Sequence, residues 1–213
     1  MSKRTSLSIS ARRHFVDQFF FSKSNLISGK IIDIGGKKKN KRGIFDIDNK
    51  YGEVTYVNID ESTNPDIVAD AASIPVAGES YDTAILGEIL EHVSDPIAVL
   101  RETKRLLRHE GKILVTVPFM AGIHGDPHDY GRYTETFWQK AAENLGLKIL
   151  EIEKQGTIFA VFALMIQHLF LSKGVSWRPI QIPLIKFLMW LDKRTTHKLL
   201  TAWTTGYGIV FTK

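Results

Sequence analysis

Short apolar runs rich in β-branched residues alternate along the chain with segments whose apolar positions recur every three or four residues. The first kind of run predicts strands and the second predicts helices. The predicted strands are Lys30–Ile34, Glu53–Asp60, a short run ending at Asp70, the first half of Tyr81–Val93, Lys112–Pro118, Leu147–Gln155 and Tyr207–Lys213. Strands that alternate with helices at this spacing predict an α/β fold with a doubly wound, seven-stranded, mostly parallel sheet.

The predicted helices have defined ends. An amphipathic leading helix spans Ile9–Lys23, and the chain is expected to turn helical again near Glu88. This second helical stretch continues beyond a cap at Asp95 and ends at Gly111, and a third helix, Thr134–Gly146, is closed by its glycine. We therefore predict one domain over residues 1–213, with a leading helical segment at 1–29.

An apolar helical insertion is predicted at residues 157–205, before the last strand. Its two apolar runs, Ile158–Leu171 and Ile182–Arg194, are both shorter than the roughly 20 residues of a spanning helix. Core helices or a homodimer interface are one interpretation. The other is a peripheral helix pair that lies in a membrane surface through residues 158–198. The side chains expected to meet lipid headgroups are Trp177, Trp190, Lys173, Arg178, Lys186, Lys193 and Arg194.

The composition of the chain limits the cellular compartments and the binding partners that we expect for it. The absence of cysteine excludes disulfides, thiolate metal sites and a cysteine nucleophile, and the basic start of the chain lacks the apolar core of a secretory signal. We therefore expect a cytoplasmic protein, with membrane association left open. A net charge of +5 favours an anionic partner. Part of the excess positive charge lies in Lys37–Arg42. This run is either a solvated loop or a site that binds phosphate.

Acidic residues and glycines stand where predicted strands end. Asp33 lies near the end of the first strand, two residues before the pair Gly35 and Gly36, while Asp60 and Asp70 end the next two strands. Glycine lets a backbone approach a ligand closely, and a carboxylate accepts hydrogen bonds from hydroxyl groups. Because doubly wound sheets bind ligands at the carboxyl ends of their strands, this pattern predicts a nucleoside-binding site.

The motifs "IIDIGG", "YVNID", "IVADAASIPV", "YDTAILGEILEHV" and "LLRHEGKILVTVP" occur in this order. Together they resemble the class I S-adenosylmethionine-dependent methyltransferases, especially the small type-11-like group, over Lys30–Glu153. The resemblance implies a Rossmann-like methyltransferase fold and S-adenosylmethionine as cofactor. It implies that Asp33, Gly35 and Gly36 wrap the amino acid part and ribose, that Asp60 accepts the ribose hydroxyls, that Asp70 and Ala71 read adenine, and that Gly87 and Glu88 lie near the methionine portion.

One residue departs from the pattern of that family. Lys37 stands where the second glycine of DxGxG is found, and its side chain is expected to crowd the cofactor unless Gly36 shifts the turn. NAD is the rival cofactor for such a sheet, but the GxGxxG fingerprint is absent after the first strand.

The loop Pro118–Thr134, "PFMAGIHGDPHDYGRYT", resembles acceptor-facing loops of the same group. His124 or His128 is the candidate general base, with Asp126 or Asp129 orienting the imidazole. Arg132 is the candidate clamp for an acceptor carboxylate or phosphate. A purely structural loop with Asp129 paired to Arg132 is the alternative.

We predict no metal, although the histidines and aspartates could bind one. Glu91 and His92 form a second candidate acid–base pair, or simply pack at a helix start.

The resemblance implies methyl transfer, and we expect the acceptor to be a hydroxyl of a small or lipid-linked, glycan-type molecule. A non-catalytic scaffold or membrane-associated interaction protein is one alternative. A nucleic-acid methyltransferase is another, but nucleic acid is a poorly supported partner because the chain has no added RNA-binding domain or aromatic–basic platform.

Overall fold

The computed structural model describes residues 10–38, 43–48, 51, 53–125, 127–171 and 178–213. Its single sheet contains seven strands: β1 (Ile31–Ile34), β2 (Val54–Asn58), β3 (Ile67–Val68), β4 (Tyr81–Gly87), β5 (Leu107–Pro118), β6 (Lys148–Gln155) and β7 (Gly206–Thr212). The strand order is β3-β2-β1-β4-β5-β7-β6. Only β7 runs antiparallel to its neighbours, β5 and β6. The sheet and its helices confirm the predicted fold class.

Helices cover both faces of the sheet because its central strands are apolar on both sides. Five helices are described: α1 (Ala11–Ser22), α2 (Pro96–Leu106), α3 (Glu135–Leu145), α4 (Ile158–Leu171) and α5 (Arg178–Arg194). Successive residues of a strand point to opposite faces. In β5, Ile113 and Val115 therefore join the core under Leu100 and Trp138, whereas Leu114 joins the core under α1.

Side-chain chemistry sets the start of α1 and both ends of α3, and the ends of α3 were predicted correctly. Ser10 caps α1 by accepting a hydrogen bond from the Arg13 amide at 3.1 Å. Thr134 caps α3, and Gly146 ends it in the left-handed conformation. The insertion between β6 and β7 consists of α4 and α5. In the described part of the chain, no helix has the length and apolar character needed to cross a membrane.

The helical turn predicted near Glu88 and the helix end predicted at Gly111 are wrong, whereas the cap predicted at Asp95 is confirmed. Residues 88–95 form turns, and the helix begins only at Pro96, where Asp95 accepts a hydrogen bond from the Ala98 amide at 2.9 Å. Glu88 has a φ of 57°, which breaks a right-handed helix. The helix ends at Leu106 because its last carbonyl accepts a hydrogen bond from the Ser80 amide and the chain continues directly into β5. Gly111 thus lies inside a strand.

Candidate active site

A large cleft lies at the carboxyl ends of β1, β2 and β4, on either side of the point where the strand order reverses. Its volume is about 1860 Å³, larger than the roughly 300–1,000 Å³ of an ordinary small-molecule site. It therefore has room for two ligands side by side. All eight residues expected to bind the cofactor line it: Asp33, Gly35, Gly36, Asp60, Asp70, Ala71, Gly87 and Glu88.

The turn after β1 leaves no free space for a side chain at two positions. Gly35 has a φ of +82°, and a Cβ there would lie 2.3 Å from Cδ1 of Ile89. A Cβ on Gly36 would lie 2.2 Å from Oδ2 of Asp33. The Asp33 carboxylate therefore folds directly over the Gly36 backbone and the turn stays open toward the cleft.

Asn58, at the end of β2, holds this turn from the side. Its Nδ2 donates to the carbonyl oxygens of Gly35 and Gly36, both at 3.1 Å, and its Oδ1 accepts from the Asp60 amide at 2.9 Å. One side chain thus links the glycine turn to the acid of the next strand. Asn58 was not among the predicted site residues, although a lone amide at the end of the "YVNID" strand was a signal that could have identified it.

Lys37 does not disturb the backbone of the turn. It is absent from the non-glycine residues with positive φ, unlike its neighbour Gly35, so the conformation at this position does not require glycine. Its side chain lines the cleft, and its positive charge helps to lower the pKa of Asp60. Backbone strain at this position is therefore excluded, and the crowding of the cofactor by the Lys37 side chain stays a prediction. Of the basic loop, Lys39 to Arg42 lie outside the described residues.

Asp60 and Asp70 hold fixed positions at the rim of the cleft. Asp60 Oδ1 accepts from the Ser62 amide at 2.9 Å, and hydrogen bonding to Ser62 is the main reason why its pKa is lowered. Asp70 Oδ1 accepts from the Ala72 amide at 2.8 Å. Each acid thus caps its own turn, which orients its carboxylate without help from a distant element.

The side chain of Glu88 is held by Arg12, an arginine of α1 that is distant in the sequence. Nε of Arg12 donates to Oε2 of Glu88 at 2.9 Å and Nη2 donates to Oε1 at 2.5 Å, while Nη1 donates to Oε1 of Gln155. Burial would raise the pKa of Glu88, but the Arg12 charge outweighs burial and holds the pKa below its ordinary value. Arg12 was not among the predicted site residues, since nothing local in α1 distinguishes it from Arg13.

Four histidines of the described residues line the cleft, and three of them lie together on its acceptor side. His124 and His128 of the loop line it as expected, and His92 lies with them. The rings of His92 and His124 meet edge to face, with centroids 5.0 Å apart. Nδ1 of His92 lies 2.6 Å from the backbone oxygen of His128, which fixes the imidazole and places the Nδ1 proton there.

Asp129 and Arg132 stand behind these histidines and do not line the cleft. They form an ion pair, with Nη2 of Arg132 donating to Oδ2 of Asp129 at 2.7 Å, as in the structural alternative. Hydrogen bonding from Arg132 is the largest reason why the pKa of Asp129 lies well below its ordinary value. Oδ2 also accepts from the His124 amide at 2.8 Å and lies 3.7 Å from Nδ1 of that ring. Asp129 is thus a permanent carboxylate beside His124, while Asp126 lies outside the described residues.

Glu91 is the most unusual acid of the site. It is fully buried, and within the described residues neither carboxyl oxygen has a hydrogen-bond partner. Burial, followed by the negative charge of Glu88, raises the pKa of Glu91 to about 8. Its Oε1 lies 3.5 Å from Nε2 of His92. Potential donor atoms of Glu91, His92 and His124 all lie within 4.8 Å of one another, which is a donor set that divalent metals also use.

Comparison with known proteins agrees with this geometry. Residues 37–115 match the family described as "Methyltransferase domain". None of the curated proteins matches the chain.

Solved structures share the fold at low sequence identity. The [4+2]-cyclase SpnF has a TM-score of 0.60 at 16% identity, over 99% of this chain and 84% of that one. A SAM-dependent methyltransferase from Archaeoglobus fulgidus has a TM-score of 0.58 at 17% identity, over 94% of each chain. Another from Methanosarcina mazei has a TM-score of 0.56 at 13% identity, over 89% of this chain and 95% of that one. Because one of these proteins is a cyclase, the fold by itself does not assign a reaction.

Proposed function

We propose that the chain is a class I S-adenosylmethionine-dependent methyltransferase, which its match to the family described as "Methyltransferase domain" supports, and that it methylates a hydroxyl group of a small or lipid-linked, glycan-type acceptor. When bound, S-adenosylmethionine supplies a methyl group whose bond to sulfur breaks, with the electron pair left on sulfur, as the acceptor oxygen bonds to carbon. The residues of the cleft fit this cofactor. A close backbone cradle at Gly35 and Gly36 lies beside Asp60, whose carboxylate suits a pair of ribose hydroxyls.

The observation that carries the proposal is the histidine cluster on the acceptor side of the same cleft. An acceptor that is already anionic, such as a carboxylate, needs no base. A hydroxyl keeps its proton near neutral pH, so a base that takes the proton accelerates its reaction. An imidazole has the right basicity for this step. Three of them at one end of the cleft favour an acceptor that loses a proton.

His124 is the residue that we assign as the base. Its Nδ1 lies 3.1 Å from the Gly122 carbonyl and 3.7 Å from Oδ2 of Asp129. An Nδ1 proton on that side leaves Nε2 as the acceptor of the hydroxyl proton. The Asp129 carboxylate then stabilises the imidazolium that forms, as an orienting acid does in other histidine-dependent sites. Arg132 acts on His124 indirectly, because it keeps the Asp129 carboxylate ionised.

The experiment is methyl transfer by the purified protein to a panel of acceptors. The panel holds free sugars, polyprenyl-phosphate-linked sugars and RNA, with S-adenosylhomocysteine release and product mass as readouts. We expect a methyl ether on a sugar hydroxyl. The variant His124→Asn should lower kcat by about 10²–10⁴-fold without changing cofactor affinity. His109→Asn is the matched control, because His109 is an exposed histidine away from the cleft.

Three results would contradict this assignment. A product methylated on RNA would place the acceptor in another class, and an unchanged kcat in His124→Asn would remove the base. If EDTA abolishes activity and Mg²⁺ or Zn²⁺ restores it, the group of Glu91, His92 and His124 binds a metal instead of moving a proton.

A further inference from the structure

The helical hairpin of α4 and α5 borders the cleft and is attached firmly to the body of the domain. Ala163 and Leu164 of α4 pack in a buried cluster with Ala11 of α1, and Leu188 of α5 packs against that cluster. His168, one turn before the end of α4, lines the cleft itself. Ala121 of the loop Pro118–Thr134 packs against the same cluster, so any surface that binds this hairpin is brought close to the acceptor side of the site.

The outer side of the hairpin is apolar. In α4, Phe162 and Met165 are 46% and 53% exposed, three residues apart. In α5, exposed apolar side chains recur every three or four residues, which places them on one side of the helix. We call six of these residues the apolar face: Phe162, Met165, Ile180, Leu184, Phe187 and Trp190. Exposed apolar side chains grouped in this way on two packed helices of a folded protein mark a surface that binds something.

The charge of the same segment is strongly one-sided. Residues 158–198 contain six of the chain's 28 lysines and arginines but one of its 23 acidic residues, so this segment accounts for the whole net charge of +5. Lys186, Lys193 and Lys198 are exposed. The guanidinium of Arg194 lies 4.1 Å from the centre of the Trp190 ring, at the end of the apolar face. Of the membrane-facing residues predicted from sequence, Lys173 and Trp177 lie outside the described residues.

The single acid of the segment, Asp192, does not offset this charge at the surface. It is 8% exposed, and its Oδ1 accepts from the amide and the hydroxyl of Thr157, both at 2.7 Å, and from the Ala160 amide at 3.2 Å. Asp192 thus caps the first turn of α4 and ties α5 to it. The outward charge of the described hairpin is therefore positive throughout.

We propose that the apolar face docks on the surface of an anionic lipid bilayer, with both helices lying in the plane of the interface. An apolar helix face with aromatic residues and a rim of lysine and arginine matches the boundary between acyl chains and anionic headgroups. A second copy of the chain is the competing occupant, but it would bring two sets of uncompensated positive charge together. Anionic lipid instead neutralises that charge.

Docking places the acceptor side of the cleft at the membrane surface. A lipid-linked acceptor whose head group projects from the bilayer would then meet the cleft beside His168 and the histidine loop. This consequence rests on the proposed function, whereas docking itself does not. Vesicle binding is therefore measured without cofactor or acceptor, so that its failure leaves the methyl-transfer proposal intact.

The test is flotation of the full chain with vesicles of phosphatidylcholine alone or mixed with phosphatidylglycerol. We expect flotation with the mixed vesicles only, and less of it as salt is raised. The variant Phe187→Ser/Trp190→Ser should weaken the partition at least about tenfold. Leu150→Ser is the matched control, since Leu150 is 44% exposed on β6, away from the hairpin. Neutralising Lys186 and Lys193 to glutamine should cost about fivefold for each lysine, and Lys140→Gln/Lys148→Gln should cost much less.

Three outcomes overturn the proposal. The first is no flotation with the mixed vesicles at low salt. The second is flotation that Phe187→Ser/Trp190→Ser leaves unchanged. The third is a dimer, seen by light scattering, that the same double variant dissociates while the parent protein fails to float. That result would assign the apolar face to a second copy of the chain.

Discussion

The guanidinium of Arg12 forms two hydrogen bonds with the carboxylate of Glu88, across 76 residues of sequence. Both side chains are largely buried, with exposures of 10% and 19%. Glu88 also has a left-handed backbone, which is unfavourable for a non-glycine residue and persists only when the surroundings enforce it. The arginine therefore fixes both the charge and the conformation of the chain where β4 enters the cleft.

Removing Arg12 should strongly destabilise the fold. In Arg12→Met the Glu88 carboxylate stays buried without its partner, and we expect the free energy of unfolding to fall by about 3 kcal/mol or more. Urea denaturation measures this difference. Lys23→Met is the control, because Lys23 pairs with Glu151, whose side chain is 45% exposed, and should cost less than about 1 kcal/mol. Equal losses of unfolding free energy in the two variants would show that the Arg12–Glu88 pair stabilises the fold no more than the Lys23–Glu151 pair does.

Asn58→Ala should weaken cofactor binding while leaving the chain folded. The variant loses both hydrogen bonds to the carbonyls of the glycine turn, each worth about 1 kcal/mol. We expect affinity for S-adenosylhomocysteine to fall about fivefold to thirtyfold in calorimetric titration. Asn25→Ala, at an exposed asparagine, is the control and should bind as the parent protein does. Unchanged affinity in Asn58→Ala would mean that the turn keeps its shape without this clamp.

Gly36→Ala should be more damaging than its single added methyl group suggests. The new Cβ would overlap the Asp33 carboxylate, which has to swing away from the turn. We expect cofactor affinity to fall at least about tenfold, equivalent to roughly 1.4 kcal/mol. Gly122→Ala adds the same group where no atom lies within 4 Å of the new Cβ, and it should bind normally. A Gly36→Ala protein with full affinity would contradict the close packing of Asp33 on this glycine.

Glu91 should make stability depend on pH in a defined direction. Its pKa is raised from 4.5 to about 8 in the folded protein, mainly by burial. The folded state therefore holds a proton that the unfolded state releases, and the stabilisation is complete below about pH 4.5 and lost as pH rises toward 8. The slope is on the order of 1 kcal/mol per pH unit.

The variant Glu91→Gln tests this dependence because glutamine copies the protonated acid. Relative to wild type, it should be about equally stable near pH 5 and clearly more stable near pH 8. Glu143→Gln, at an exposed helix position, should show no such divergence. The denaturation series is run in EDTA. Parallel stability curves for wild type and Glu91→Gln would contradict a raised pKa.

Local chemistry made part of this site predictable. Asp33 and Asp60 could be placed because strand ends are visible in the sequence and because parallel strands present those ends at one edge of a sheet. The turn at Glu88 was predicted as helix because "EILEHV" has helical spacing, and the φ of 57° is imposed by tertiary contacts instead. Arg12 could not be found, since its role depends on a pairing between distant segments that no local pattern records.

Strand β7 lies between β5 and β6, so β6 joins the sheet only through residues 206–212. Gln155, which accepts a hydrogen bond from Arg12, is the last residue of β6. During synthesis on the ribosome, β1 to β5 can pair before β7 exists, but Arg12 cannot yet be held at Gln155. The order of synthesis therefore delays the hydrogen bond between Arg12 and Gln155 until residues 206–212 have been made and have paired with β6.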